Sequence, residues 1–386
     1  MTRIAEIRPR IFNVSDKTNW FFVSVHTDDS TVGWGEASLN GREREIEAAL
    51  RRCAAECEGL SIEAAQARLT VDPTASGGLA ANAAVSAIHQ ALLGLQAERD
   101  GRPVHALLGP LARTVVPAYA NINRATSLRT PAGFVATALR AQARGYSGFK
   151  AAPFDGVTPG NAGSREGQRL IAHGVDCMLA LRDAIGPKAR LMVDCHWRFD
   201  EGTALDVLRA LAPARLHWFE CPLPETAAHW PALRRIRAAA RDQGVLLAAA
   251  ETQVGVAAFQ TLFDEALYDV VMPDVKYCGG PREMLVIAER AAEAGVRFSP
   301  HNPTGPVCTQ YSLHVASVAP ECEGLEIQFD ESPFYAALVA QGQPVWVGGA
   351  LEVPCMPGFG LVLEEAVITG RPWRPVALGV ESIGAT

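Results

Sequence analysis

Eight short apolar runs, each followed by a stretch with helical character, constrain this chain more than any other feature. The runs are VVPAYANI, GFKAAP, ARLMVDC, LHWFEC, LLAAAE, YDVVMPD, VRFSPH and GLEIQF, starting at residues 115, 148, 189, 216, 246, 268, 296 and 324. Between them lie Ala- and Arg-rich stretches such as PAGFVATALRAQARG, GVDCMLALRDAIG, WPALRRIRAAARDQG and PREMLVIAERAAEAG. Strand–helix alternation repeated eight times predicts parallel βα units, and eight of them suit a closed (β/α)8 TIM barrel. A doubly wound open sheet is the rival, but it carries a Gly-rich phosphate turn after its first strand. Here that turn reads NINRATS.

The barrel begins near residue 115, so residues 1–114 form a separate unit. WFFVSVHTDD has the composition of a strand and TVGWGEAS reads as its hairpin partner. Helices are expected from Glu43 to Cys57 and from Ala80 to Glu98, which makes 1–114 an α+β domain. Residues 115–345 are assigned to the barrel. Residues 346–386 open on the Gly/Pro-rich tail GGALEVPCMPGFGLVLEEAVITG, expected to return and complete the N-terminal domain.

With 386 residues, 48% hydrophobic and 20% charged, the chain has material for both units. Its net charge of −7, with no run of Lys or Arg, argues against a nucleic-acid or acidic-membrane surface. No uninterrupted apolar stretch of about 20 residues marks a membrane span, and MTRIAEIRPRIF lacks the apolar region of a signal peptide. The nine cysteines lack close pairing motifs, and Cys53 and Cys57 sit at helical spacing on one face. A cytoplasmic protein without disulfides is expected.

The chemistry lies at the strand ends. Strand two of the barrel ends in Lys150, strand three in Asp194 and His196, strand four in Glu220 and strand five in Glu251. Strand six ends in Asp274 and strand seven in His301, and strand eight carries Glu326. A single strand-end acid is as readily a helix cap, and His301 has the alternative of a loop histidine in the turn-rich SPHNPTGP. The ordered set is different, because a parallel barrel brings all these ends to one mouth. Asp194, Glu220 and Glu251 on three consecutive strands would repel one another without a cation. Hard oxygen ligands suit one Mg²⁺ per site, and the absence of His/Cys ligand spacing argues against zinc. Asp274 beside His301 would fix the imidazole tautomer and raise its basicity, making a base.

Taken together, these motifs resemble the enolase superfamily in its mandelate racemase-like branch. VDCH, FECPLPE, AAAET, MPDVKYCGG, SPHNPTGP and LEIQF follow the family's strand-end order, while TVGWGEAS resembles its capping domain. The resemblance implies a modified barrel under an N-terminal α+β cap completed by the C-terminal tail. It implies a small carboxylate substrate bound to Mg²⁺, with removal of the proton on the adjacent carbon. Glu326 resembles the strand-eight carboxyl group that hydrogen-bonds the developing oxyanion, for which it must be protonated or pair with a proton donor. A homo-oligomer is also implied.

Two departures narrow the chemistry. Where many relatives carry Lys-x-Lys on strand two, this chain has Lys150-Ala151-Ala152, so the second base of a racemase is missing and Lys150 is left an electrostatic role. His196, two residues after Asp194, is similar to the strand-three histidine of galactonate- and mannonate-type sugar-acid dehydratases. The expected activity is therefore loss of water from a sugar acid, an aldonate or aldarate, to give a 2-keto-3-deoxy acid. His301 takes the α-proton and His196 protonates the leaving hydroxyl. The alternative for His196 is support of a metal ligand. A cycloisomerase, a racemase or epimerase, an aldolase and a non-catalytic sugar-acid-binding barrel remain as rivals. Arg198, with Lys17, Trp20 and Arg42 from the cap, are candidate substrate contacts, against the alternative of ordinary solvated loops.

Overall fold

The computed structural model describes residues 2–376, so residues 377–386 of the expected tail lie outside the described residues. The chain opens with a three-stranded antiparallel sheet of β1 (Ile4–Asn13), β2 (Asn19–Thr27) and β3 (Val32–Glu36). β1 is not legible in the sequence pattern. Charged residues and Pro9 interrupt its apolar ones, and its place at a sheet edge tolerates the proline. Helices α1 (Glu43–Cys57), α2 (Ile62–Arg68), α3 (Gly78–Arg99) and α4 (His105–Leu108) follow.

α3 is long and apolar enough to cross a membrane, but 78% of its apolar window is buried inside the fold. It packs on β3, where TVGWGEAS supplies two glycines for close approach. A Cβ on Gly35 would fall 1.9 Å from the Ala87 carbonyl oxygen, and one on Gly33 2.5 Å from that of Ala91. The helix can therefore be apolar all round because the sheet and the barrel cover it.

The eight expected strands are all present: β4 (Val115–Asn121), β5 (Gly148–Ala151), β6 (Arg190–Asp194), β7 (Trp218–Glu220), β8 (Leu246–Ala249), β9 (Val270–Val271), β10 (Arg297–Phe298) and β11 (Leu325–Gln328). β4 to β10 pair in sequence order, all parallel, and β11 pairs parallel with β4. Across the β10–β11 seam, the Glu323 amide donates to the Phe298 carbonyl at 2.8 Å and that of Glu326 to Pro300 at 3.4 Å. Helices α5 (Pro131–Ala143), α6 (Arg165–Ile185), α7 (Glu201–Ala210), α8 (Trp230–Asp242), α9 (Gly255–Asp264), α10 (Pro281–Glu293) and α11 (Pro306–Val318) alternate with the strands. Thr130, Ser164 and Asp200 cap three of them through side-chain oxygens. α6 starts well before the expected GVDCMLALRDAIG, because its first turns are polar and face solvent.

Strand alternation sorts the barrel residues. Tyr119, Met192, Trp218, Ala248, Val270 and Met272 fill the interior, and Phe149, Leu191, Val193, Phe219 and Leu247 pack outward on the helices. At the strand starts, Glu323 gathers His217 Nε2 at 2.7 Å, Arg297 at 2.8 Å and Arg190 at 3.3 Å, closing the face opposite the mouth.

The tail corrects one expectation. After α12 (Tyr335–Leu338) and β12 (Val339–Gln341), the hairpin β13 (Trp346–Val347) and β14 (Ala350–Glu352) does not go to the cap. β14 pairs antiparallel with β4 and extends the barrel sheet, since β4 offers it a free edge beyond its partners. Residues after the hairpin do reach the N-terminal unit. Gly358 exchanges backbone bonds with Arg102 and Val104, β15 (Val362–Leu363) returns to pair with β12, and α13 (Glu365–Thr369) follows. Arg371 then bonds the backbone of Asn13 through its carbonyl and guanidinium, and the Arg374 carbonyl accepts from Asn19. A second joint is Glu36 at the end of β3. Its buried carboxylate accepts the amides of Gly305 at 2.8 Å and Cys308 at 3.0 Å, at the start of α11.

Candidate active site

A cavity of about 450 Å³ lies between the cap and the C-terminal ends of the strands. Asp194 and Glu251 line it, and the fully buried Glu220 converges with them, each of the three offering a carboxylate oxygen within 4.8 Å of the others. Asp194 and Glu220 end β6 and β7 and follow the inward alternation set by Met192 and Trp218. Glu251 does not, because Ala249 and Ala250 both pack toward the helices. Ala250 takes φ 82°, and this left-handed turn brings the next side chain to the mouth.

Lys150 balances part of this charge from beneath. Its ammonium, 1% exposed, lies 2.7 Å from Glu220 Oε1 and 2.8 Å from Glu326 Oε1. Burial would lower its pKa, but the two carboxylates hold it well above the usual lysine range. Its ammonium is therefore a buried positive charge paired on two sides by carboxylates. Burial would raise Glu326, but Lys150, His301 and the Asn121 amide at 2.7 Å hold it below the usual range. Glu326 thus takes the second of its expected forms, an ionised group paired with donors. Burial pushes Glu220 up to about 8 despite Lys150, with Asp194 and Glu326 adding to the rise. Burial, with Asp194 and Glu220 adding to it, also raises Glu251 well above the usual carboxylate range, and its buried Oε2 has no hydrogen-bond partner.

Asp274 and His301 meet across an isolated parallel bridge just beyond β9 and β10. His301 Nδ1 lies 2.8 Å from Asp274 Oδ2. An ionised carboxylate only accepts, so Nδ1 carries the hydrogen and Nε2 is the basic nitrogen. Nε2 sits 3.4 Å from Glu251 Oε2, on the Glu251 side of the triad.

His196 occupies the other side. Its Nε2 is 2.8 Å from Asp194 Oδ2, and its amide donates to Asp194 Oδ1 at 2.9 Å. Its expected direction holds for a different reason than strand alternation. β6 ends at Asp194, and His196 is left-handed with φ 46°. The short Asp side chain folds the chain back on itself in an Asx turn, which returns the imidazole to the carboxylate. Burial would raise Asp194, but His196 first and Lys150 after it hold its carboxyl well below the usual range.

The remaining expected contacts divide. Lys17, Trp20, Arg42 and Arg198 all line the cavity. Arg198, 5% exposed, also donates to the carbonyls of Phe154 at 3.1 Å and Val157 at 3.4 Å, so it braces the long loop after β5. Arg42 pairs with Glu45 on α1. Trp20 is buried and stacks on Phe12. Asp155 pairs with Arg129 at 2.7 Å.

Among the lining residues that were not anticipated, two hold groups of the site. Lys276 Nζ lies 2.6 Å from Asp274 Oδ2, the oxygen that also accepts from His301, while its amide donates to Oδ1. The signal was available in spacing, since Lys276 follows Asp274 by two residues as His196 follows Asp194. Asn121 is the other of these, an uncharged strand end that holds Glu326.

Comparison with known proteins places this geometry. Residues 133–367 match the family model "Enolase C-terminal domain-like", and residues 7–109 match "Mandelate racemase / muconate lactonizing enzyme, N-terminal domain". A D-galactonate dehydratase family member from Streptomyces bingchenggensis is 29% identical, covering 94% of this chain and 92% of its own. A D-gluconate dehydratase from Thermoproteus tenax is 29% identical over 95% of this chain and 74% of its own. Among solved structures, a mandelate racemase/muconate lactonizing enzyme-like protein from Rubrobacter xylanophilus superposes with a TM-score of 0.84 at 26% identity, covering 98% of this chain and 99% of its own. With both halves of the family pattern matched in order over a cap and a barrel, this chain belongs to the enolase superfamily, in its mandelate racemase/muconate lactonizing enzyme branch.

Proposed function

We propose that this protein is a Mg²⁺-dependent sugar-acid dehydratase that converts an aldonate or aldarate to a 2-keto-3-deoxy acid. The observation that carries the proposal is the placement of two imidazoles, His301 and His196, on different carboxylates of one acidic triad while the nearby lysine is locked in ion pairs. The donor set fits a hard divalent cation: three converging carboxylates, two of them raised by burial, and one buried oxygen without a partner. Asp194, Glu220 and Glu251 would hold it. When bound, Mg²⁺ supplies Lewis-acid polarisation of the substrate carboxylate, which acidifies the adjacent C–H.

The chain's own groups do the proton work. Asp274 fixes the tautomer of His301, whose Nε2 takes the proton from the carbon next to the carboxylate. Lys150 and Asn121 hold Glu326 in place beneath the reacting carboxyl group. His196, as imidazolium held through Nε2 by Asp194, gives a proton to the hydroxyl leaving the next carbon, and water departs. The enol takes a proton at that carbon and becomes the 2-keto-3-deoxy acid. General acid help of this kind contributes about 10²–10⁴-fold. A two-base racemase needs a second base opposite His301. Lys150 is held in ion pairs with Glu220 and Glu326, and Ala152 has no proton to move. The curated relatives named as galactonate and gluconate dehydratases support the same class.

The test is incubation of the Mg²⁺-loaded protein with a panel of aldonic and aldaric acids, assayed for 2-keto acid as the semicarbazone. At least one substrate should yield keto acid, lost in both His301→Asn and His196→Asn. If the α-proton exchanges in D₂O but no keto acid forms from any member, dehydration is wrong and a racemase or cycloisomerase takes its place. A metal-dependent aldolase would release an aldehyde or ketone fragment instead.

A further inference from the structure

Glu225 has no part in the proton transfers above, and it lies outside the cavity lining. It follows the second triad ligand by five residues in the segment ECPLPE, where Pro222 and Pro224 restrict the backbone. Its Oε1 accepts the Trp197 indole N–H at 3.0 Å and the Ala250 amide at 3.2 Å, and the Cys221 thiol approaches it at 3.8 Å. Its Oε2 accepts the Gln253 side-chain amide at 3.1 Å.

Three of these four partners share an uncommon property. Trp197, Cys221 and Ala250 are non-glycine residues in the left-handed region, with φ of 55°, 45° and 82°. Together with His196 they make up four of the eight such residues among those described. Each sits beside a group of the proposed site: Trp197 follows His196, Cys221 follows Glu220, and Ala250 precedes Glu251. Left-handed backbone is disfavoured for residues with a Cβ and persists where the surroundings over-determine it. Ala250 and Cys221 have no side-chain carbonyl or carboxylate with which to satisfy such a turn locally, as Asn and Asp do.

We propose that Glu225 is a positioning residue, a carboxylate clamp that joins the three left-handed turns and thereby fixes the spacing of Asp194, Glu220 and Glu251. One oxygen collects donors from the turns after β6, β7 and β8, so the three ligand-bearing strand ends cannot move independently. The inference rests on the reading of the triad as a metal site only for its effect on Mg²⁺ affinity. The effect on the turns is independent of that reading.

The test compares wild type, Glu225→Leu and Glu225→Gln, each stripped of metal. Hydrogen exchange is followed in peptides covering residues 195–200 and 249–254, with α3 as internal reference, and Mg²⁺ binding is read by titration calorimetry. Glu225→Leu removes the acceptors while keeping the bulk. Both peptides should exchange faster while α3 is unchanged, and Mg²⁺ affinity should fall about 10–100-fold, as on loss of a group that orients ligands. Glu225→Gln should stay close to wild type, because its carbonyl replaces Oε1 and the Gln253 amide can rotate to face its NH₂. Wild-type exchange in both peptides of the Leu variant overturns the clamp, and so does a Gln variant as impaired as Leu. If wild type itself takes up no Mg²⁺, the metal reading fails, and the exchange experiment still decides the clamp. Should the Leu variant not fold, Trp197→Phe removes one donor. It should speed exchange at 195–200, and unchanged exchange there refutes the proposal.

Discussion

Lys150→Met should make this protein less stable, and increasingly so as the pH rises. The Lys150 ammonium lies 2.7 Å from Glu220 and 2.8 Å from Glu326, and none of the three side chains is more than 1% exposed. At an effective dielectric of about 20, each contact is worth about 6 kcal/mol of Coulomb attraction. Most of that is offset, because the buried ammonium no longer has to be stripped of water. Breaking a buried pair from one side costs about 3–5 kcal/mol net, which corresponds to a Tm loss of about 6–10 °C if a chain of this size loses about 2 °C per kcal/mol. The pH dependence is the stricter test. Burial would raise Glu326, and Lys150 chiefly holds it below the usual carboxylate range, so losing Lys150 lifts its folded pKa above the unfolded one in the variant alone. A carboxyl group whose folded pKa lies above its unfolded one is protonated in both states below about pH 4.5, where its burial carries no charge penalty. The penalty grows as the pH climbs toward the folded value. Urea unfolding of both proteins in EDTA, at several pH values from 5 to 8, reads the gap directly. It should widen from pH 5 to pH 8 and approach the full 3–5 kcal/mol. A gap below about 1 kcal/mol at pH 8, or one that narrows with rising pH, would refute the assignment of Lys150 as the buried counter-charge.

Three further outcomes follow from particular contacts. Mg²⁺ binding at pH 7 should release protons from Glu220 and Glu251, both raised by burial, and its Kd should tighten at least about tenfold from pH 6 to 7. Calorimetry in PIPES and in Tris measures the proton count, and identical apparent enthalpies after buffer correction for zero protons would count against it. Glu36→Ala should cost about 2–4 kcal/mol, because the Gly305 and Cys308 amides lose their buried acceptor. A melt within about 1 kcal/mol of wild type would show that the joint between cap and α11 is held elsewhere. Glu323, held down at about 2 chiefly by its hydrogen bond from His217, should contribute about 2 kcal/mol above pH 5, lost as the pH falls toward 2. Glu323→Gln should remove that part of the acid transition, and an unchanged acid limb argues that the strand-start cluster is not carrying it.

Much of the barrel was legible because its signal is repetitive. Eight apolar runs with polar ends are hard to produce by chance, and each became a strand at its expected place. β1 was not legible, because an edge strand takes its hydrogen bonds from a neighbour and can carry Pro9 and several charges without an apolar pattern. The tail was legible only in part. Its return to the cap is carried by scattered backbone bonds at Gly358 and Arg371, which leave no periodic trace. In the site, the carboxylates and the two histidines stood out because ionisable groups at successive strand ends are conspicuous. Asn121 escaped notice because it carries no charge and matters only for touching Glu326, whereas Lys276 stands at the same two-residue spacing after Asp274 as His196 after Asp194.

What the amino-acid sequence determined by itself is therefore the architecture and the roster of charged groups, since both follow from local periodicity and residue type. What only the tertiary structure decided is how those groups are used. Lys150 became a locked counter-charge because burial between two carboxylates keeps its ammonium charged and paired. Glu251 reached the triad through the left-handed backbone of Ala250, against the alternation of its strand. His196 turned back onto Asp194 through an Asx turn, which no count of residues along β6 would have shown. Electrostatic roles depend on distance and burial, and these are set by contacts between residues far apart in the chain.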